Sequence, residues 1–86
     1  MQPRQKTAPK EYDERLRPVF TKLQKLRYQM AQKDHIPPFV IFSDLTLWEM
    51  AAHMPATLDE MRAVKGVGEF KLHKYGPAFL RALKNE

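Results

Sequence analysis

Between positions 12 and 30 apolar residues recur at Tyr12, Leu16, Val19, Phe20, Leu23, Leu26 and Met30. Steps of three and four residues, at about 100° each, keep these side chains within an arc of roughly 120°. The stripe predicts one helix of about 20 residues that must bury a face against the rest of the chain. The remainder of the chain is cut by Pro37, Pro38, Pro55 and Pro77. Proline removes a backbone donor, and the residue before it is pushed out of the helical region. No stretch alternates with period two, so no sheet is expected to cover the stripe. The expected fold is all-α, a small bundle of about five short helices.

Local signals place the boundaries. Pro18 lies inside the stripe, so a short helical turn from about Tyr12 should lead into a main helix starting near Arg17, with Pro18 in its first turn. "DHIPP" ends that helix. Ser43 is suited to cap a helix from Asp44 to about His53, and Thr57 with Glu60 forms a capping box for a short helix to about Val64. After "VKGVGEF" a helix of about seven residues runs to Tyr75. Gly76 should close it and Pro77 open the last helix, to about Lys84. The run "FVIF" at 39–42 would be a strand without a partner. It reads instead as a tight 3-10 turn after the first long helix, plugging one end of the bundle. Such a turn leaves at least one of Phe39, Val40, Ile41 and Phe42 facing outward.

The chain has 86 residues and no cysteine. One small core must hold without disulfides, and a reducing, intracellular (cytoplasmic) setting is expected. No apolar run approaches the roughly 18 residues that span a bilayer, so no membrane partner is expected. Residues 1–11 are basic and proline-containing and read as a flexible linker, leaving 12–86 as the helical domain. Charge is segregated: residues 1–33 carry nine Lys/Arg and three acids, 34–61 five acids and no Lys/Arg, and 62–86 six Lys/Arg and two acids. If the first and last segments lie together, one side of the domain is basic, as a phosphate-backbone binder requires. The competing reading is an ordinary solvated lysine-rich surface.

Two groups of cations stand out. Arg15, Lys22, Lys25 and Lys33, with Gln29, gather in an arc of about 80° beside the apolar stripe. In "AVKGVGEFKLHKYG" (63–76), Gly66 and Gly68 leave backbone amides uncovered at a helix start, where a phosphate can be held. Lys65 and Lys71 bracket that place, and Lys74 lies one turn on. The other reading is that both glycines serve only close helix packing. His35, His53 and His73 are scattered, and no metal-ligand spacing, catalytic arrangement or nucleotide-binding glycine pattern is visible. No catalytic site, metal or cofactor is expected. Trp48 stays open: Leu47, Met50, Ala51 and Met54 can form one buried face, with Leu45, Trp48 and Ala52 on another.

The pieces "LRYQMA", "IPPFVIFSDLTLWEMA", "MPATLDEM", "VKGVGEFKLHKYG" and "AFL", in that order over about residues 12–84, resemble the HRDC domain, the helicase-and-RNase-D C-terminal module. The likeness is closest to the version in bacterial RecQ-type helicases. It implies a five-helix bundle with orthogonal, helix-hairpin-helix-like packing and no activity of its own. It further implies a monomeric module tethered after the motor and winged-helix region, which helps bind single-stranded or branched DNA. In that family the aromatic directly after the double proline is exposed in a basic patch and contributes to strand binding. That position is Phe39 here, which can stack on a base but lacks a hydroxyl. The combined expectation is weak, sequence-independent binding in which Lys22, Lys25 and Lys33 track phosphates and Phe39 stacks a base. Lys65, Lys71 and Lys74, with the Gly66 and Gly68 amides, hold a further phosphate. Val40, Ile41 and Phe42 fall to the core. Two alternatives remain: a docking module that binds its own helicase core or another protein through the acidic middle segment and Trp48, and an RNA-binding module of an RNase D-type nuclease.

Overall fold

The computed structural model describes residues 12–84; the basic segment 1–11 lies outside them. A 3-10 turn at Glu14–Leu16 leads into α1 (Arg17–Asp34), followed by α2 (Pro38–Ile41), α3 (Asp44–His53), α4 (Leu58–Arg62) and α5 (Glu69–Lys84). No strand occurs among the described residues. Helix α1 is the hub: α2, α3 and α5 all pack on it, and α4 packs on α5.

The caps are those that local chemistry favours. Pro18 sits in the first turn of α1, where its missing donor costs nothing. At the other end His35 adopts a left-handed conformation (φ 59°). Its amide bonds the Gln32 carbonyl (3.2 Å) and the Ile36 amide the Ala31 carbonyl (3.0 Å), a Schellman stop that turns the chain into the double proline. Ser43 Oγ accepts from the Thr46 amide (3.2 Å) at the start of α3. Thr57 Oγ1 accepts from the Glu60 amide (3.1 Å), while Glu60 reaches back to the Ala56 amide (2.7 Å). The segment at the double proline is a single α-helical turn, α2, where a 3-10 turn was expected, and it does plug the bundle: Ile41 and Phe42 are fully buried.

Two further expectations need correction. Gly76 does not end a helix and Pro77 does not begin one, because α5 runs unbroken through both. Leu72, Tyr75, Phe79 and Leu83, spaced three and four apart, are all buried on one face of α5. Burying four such side chains, at about 1.5–3 kcal/mol each, outweighs the roughly 3 kcal/mol of an interior proline. Pro77 is exposed, as is His73, whose carbonyl loses its partner and can turn to water. Gly76 serves the α4–α5 contact instead: a Cβ there would lie 3.1 Å from Leu58 Cδ2. The second correction is Val40, which is 40% exposed and not part of the core.

The ambiguity at Trp48 is resolved toward burial. Its side chain is 4% exposed and stacks on Phe20 with ring centroids 4.1 Å apart and planes 7° from parallel. Tyr12 stacks nearby at 5.9 Å, and the Arg17 guanidinium lies 5.4 Å from the indole. A second aromatic group joins the far end of the bundle, with Phe42 edge-on to Phe79 (5.1 Å) and to Tyr75 (6.3 Å). The stripe on α1 behaves as its periodicity requires. Phe20 and Leu23 are buried, and Tyr12, Leu16, Val19, Leu26 and Met30 pack partly buried against the core.

Candidate nucleic-acid interface

Helix α2 is too short to hide all four residues of its run, and it separates two clefts. On one side Phe39, 71% exposed, shares a cleft with Arg27, Pro38, Ser43, Asp44 and Leu45. Arg27 is committed there: its guanidinium pairs with Asp44 at 2.8 Å and donates to the Phe42 carbonyl at 2.9 Å, tying α1 to the α2–α3 junction. On the other side Val40 and Ile36 face the start of α5, where Phe70, Lys71 and Lys74 complete a cleft around Asp34 and Tyr75.

This second cleft concentrates charge. The Tyr75 hydroxyl donates to Asp34 Oδ2 at 2.7 Å, and the Lys74 ammonium lies 3.7 Å from the same oxygen. The Tyr75 hydrogen bond, helped by the fields of Lys74 and Lys33, holds the Asp34 carboxyl below the usual aspartate range. Burial pushes the Tyr75 phenol the other way, up to about 12, so it stays a donor. Phe70, 73% exposed, is the most exposed of the large apolar side chains here, and Lys74 sits 5.9 Å from its ring centroid.

Lys71 and Lys74 are therefore brought together at the start of α5, while Lys33, next to Asp34 at the end of α1, adds its field to that carboxylate. Lys25 is exposed on α1. Lys22 is differently placed: its ammonium donates to the Ala82 carbonyl at 2.9 Å in the last turn of α5, which makes it a clasp between the two long helices. Lys65 and Gly66 belong to a third cleft, with Tyr12, Ser43, Leu45, Thr46 and Glu49. Glu49 there accepts from Tyr12 and from His53 and is held below the usual glutamate range by these bonds first, with Lys65 contributing least.

The two glycines do different things. Gly66 has φ +91°, and a Cβ on it would come within 2.1 Å of Thr46 Oγ1. Its side is packed against α3. Gly68 has open space around the equivalent position, and its carbonyl accepts from the Leu72 amide (2.8 Å), starting α5.

A family model for the HRDC domain matches residues 16–83. The chain belongs to the HRDC family. This HRDC domain is 42% identical over 66 residues to the ATP-dependent DNA helicase RecQ of Haemophilus influenzae and 44% identical over 66 residues to that of Bacillus subtilis. It is 39% identical over 80 residues to that of Pasteurella multocida. These alignments cover 77%, 77% and 93% of the chain but only 11–12% of each helicase, so the chain spans about a tenth of the length of these relatives. Among solved structures it is similar to the third HRDC domain of Deinococcus radiodurans RecQ. The TM-score is 0.78 and the identity 32%, over 80% of this chain and 91% of that one. It is thus homologous to an accessory region of RecQ helicases, and no described helix is long and apolar enough to cross a membrane.

Sequence reasoning missed Phe70, Val40 and the Asp34–Tyr75 pair. The signal for Phe70 was available in principle. Once α5 is one helix with Leu72, Tyr75, Phe79 and Leu83 inward, position 70 lies about 160° from Leu72, on the opposite face. Splitting the helix at Gly76 hid that relation.

Proposed function

We propose that this HRDC domain is a non-catalytic accessory module of a RecQ-type helicase that grips single-stranded or branched DNA weakly and without reading an extended sequence. The observation that carries the reading is the pair of outward rings: Phe70 shares α5 and a cleft with Lys71 and Lys74, and Phe39 stands on α2 at the neighbouring cleft. A domain that buries its only tryptophan between Phe20 and Tyr12 leaves two phenylalanines in water. Exposed rings beside lysines are the usual platform for unstacked bases, at about 1–3 kcal/mol per stacked base. Lys25 extends the cationic track along α1, and the space beside Gly68 lies at the start of α5, where first-turn amides can hold a phosphate.

About four to six phosphate contacts give a slope of log affinity on log salt of roughly −3 to −4 for single strands. The isolated domain binds weakly, and its use comes from tethering to a motor, where a linked site acts at high effective concentration. The docking alternative loses its anchor, since Trp48 is inside. The test is a fluorescence-anisotropy titration of a short labelled oligothymidylate with the wild type, Phe39→Ala and Lys25→Ala, repeated at several salt concentrations. Each variant should bind more weakly and the salt slope should be steep. Unchanged affinity in both, or binding that persists undiminished at several hundred millimolar salt, rules the reading out.

A further inference from the structure

The cleft beside α5 is not built like a phosphate site, because a carboxylate stands in the middle of it. Asp34 Oδ2 accepts from Tyr75, and the Lys74 ammonium lies 3.7 Å from the same oxygen. An ionised carboxylate has about four lone-pair positions, so acceptor capacity is left over. Around it are an exposed ring, Phe70, two apolar side chains, Ile36 and Val40, and the ammonium of Lys74. A phosphate entering here would meet Asp34 head-on. A nucleobase would not.

We propose that this cleft is a nucleobase pocket that prefers guanine, with Phe70 stacking on the base and the Asp34–Lys74 pair meeting its Watson–Crick edge. The inference rests on the single-strand reading above and adds a base preference to it. Guanine presents one acceptor, O6, beside two donors, N1–H and N2–H. Asp34 accepts the two donors, and the Lys74 ammonium, 3.7 Å from the carboxylate, donates to O6. The other bases mismatch this pair. Adenine and cytosine place a ring-nitrogen acceptor against the carboxylate, and thymine flanks its single N–H with two carbonyls. Tyr75, anchored in the core, holds the carboxylate in place by its hydrogen bond. Lys71, which lines the cleft, takes a flanking phosphate.

The experiment uses the whole domain and oligothymidylates of equal length that carry one central guanine, adenine, cytosine or inosine, followed by anisotropy. The guanine strand should bind about fivefold tighter than the all-thymine strand, the lower end of what a bidentate base contact provides. Inosine, which lacks the 2-amino group, should fall between them. Asp34→Asn keeps an oxygen for the Tyr75 hydroxyl and should level the preference while leaving all-thymine binding within about twofold. Phe70→Ala, at an exposed position, should weaken the guanine strand more than the all-thymine strand, and it decides the matter if Asp34→Asn does not melt cooperatively. Equal affinity for all strands, or a guanine preference that survives both substitutions, overturns the inference but not the single-strand reading. Failure of the wild type to bind any strand overturns that reading itself.

Discussion

Replacing Gly66 with alanine should cost this domain about 3 kcal/mol, while the same change at Gly68 should cost little. At Gly66 two penalties combine. The backbone φ of +91° is strained for any residue with a Cβ, at about 1–2 kcal/mol. The added methyl would also come within 2.1 Å of Thr46 Oγ1 and 3.3 Å of Thr46 Cβ. Thr46 is buried on α3 and paired with Ser43 Oγ at 3.1 Å, so it can yield only by giving up that contact or moving the helix, at about 1–3 kcal/mol. The sum lies between about 2 and 5 kcal/mol. For a domain of this size 1 kcal/mol is worth about 4–8 °C, so the melting temperature should fall by at least about 8 °C. At Gly68 nothing lies within 4 Å of the added carbon and φ is not left-handed, so the change should stay within about 0.5 kcal/mol. Thermal melts followed by circular dichroism, with urea titrations for the free energies, measure both. Equal losses at the two positions, or no loss at Gly66, would refute the reasoning. The pair also separates two roles that look alike in the string "KGVG": Gly66 for packing against α3, Gly68 for an open helix start.

Lys22→Ala should lower stability by about 1 kcal/mol in urea titrations, because the Ala82 carbonyl loses its charged donor, whereas Lys25→Ala should leave stability unchanged, weaken DNA binding and reduce its salt slope by about 0.7. Trp48→Ala should cost about 3–5 kcal/mol and leave little cooperative melting, since the Phe20 stack and its surroundings collapse only partly into the space. A cooperative, near-wild-type melt would mean the indole is not core. Stability should also fall at both ends of the pH range. Asp34, Glu49 and Glu69 have carboxyls held below their ordinary 3.8 and 4.5, the first two chiefly by tyrosine hydroxyls and Glu69 by Arg62. Their stabilisation is complete above those values and is lost as pH drops through the lower folded ones. Tyr75 is raised, so its contribution is complete below 10 and is lost as pH climbs from 10 toward about 12. Urea midpoints across that alkaline range should drop in the wild type and drop less in Tyr75→Phe.

Much of the helical architecture was legible because its causes are local. The stripe from Tyr12 to Met30, the stop at His35, the Ser43 cap and the Thr57–Glu60 box each depend on residues within a turn of one another, and each sits in the structure where its spacing requires. The outward ring at position 39 was expected from family likeness, and Phe39 is exposed. What could not be read were the outcomes of competition between distant segments. Whether Pro77 breaks α5 depends on what Leu72, Tyr75, Phe79 and Leu83 gain by staying on one face against α1 and α4. Local propensity contains no term for that. Trp48 had two helix faces to choose from, and Phe20, on another helix, decided it.

The same division runs through the candidate site. The amino-acid sequence by itself determined how many cations the domain carries and that none falls in residues 34–61. Only the tertiary structure decided which of them share a surface. Lys22 turns inward to clasp α5, Lys65 goes to the cleft beside Glu49, and Lys71 and Lys74 meet around an aspartate. A side chain's charge is a property of the residue, but its neighbours are set by the rotation of each helix about its axis. That rotation is fixed by which apolar faces find one another in the core.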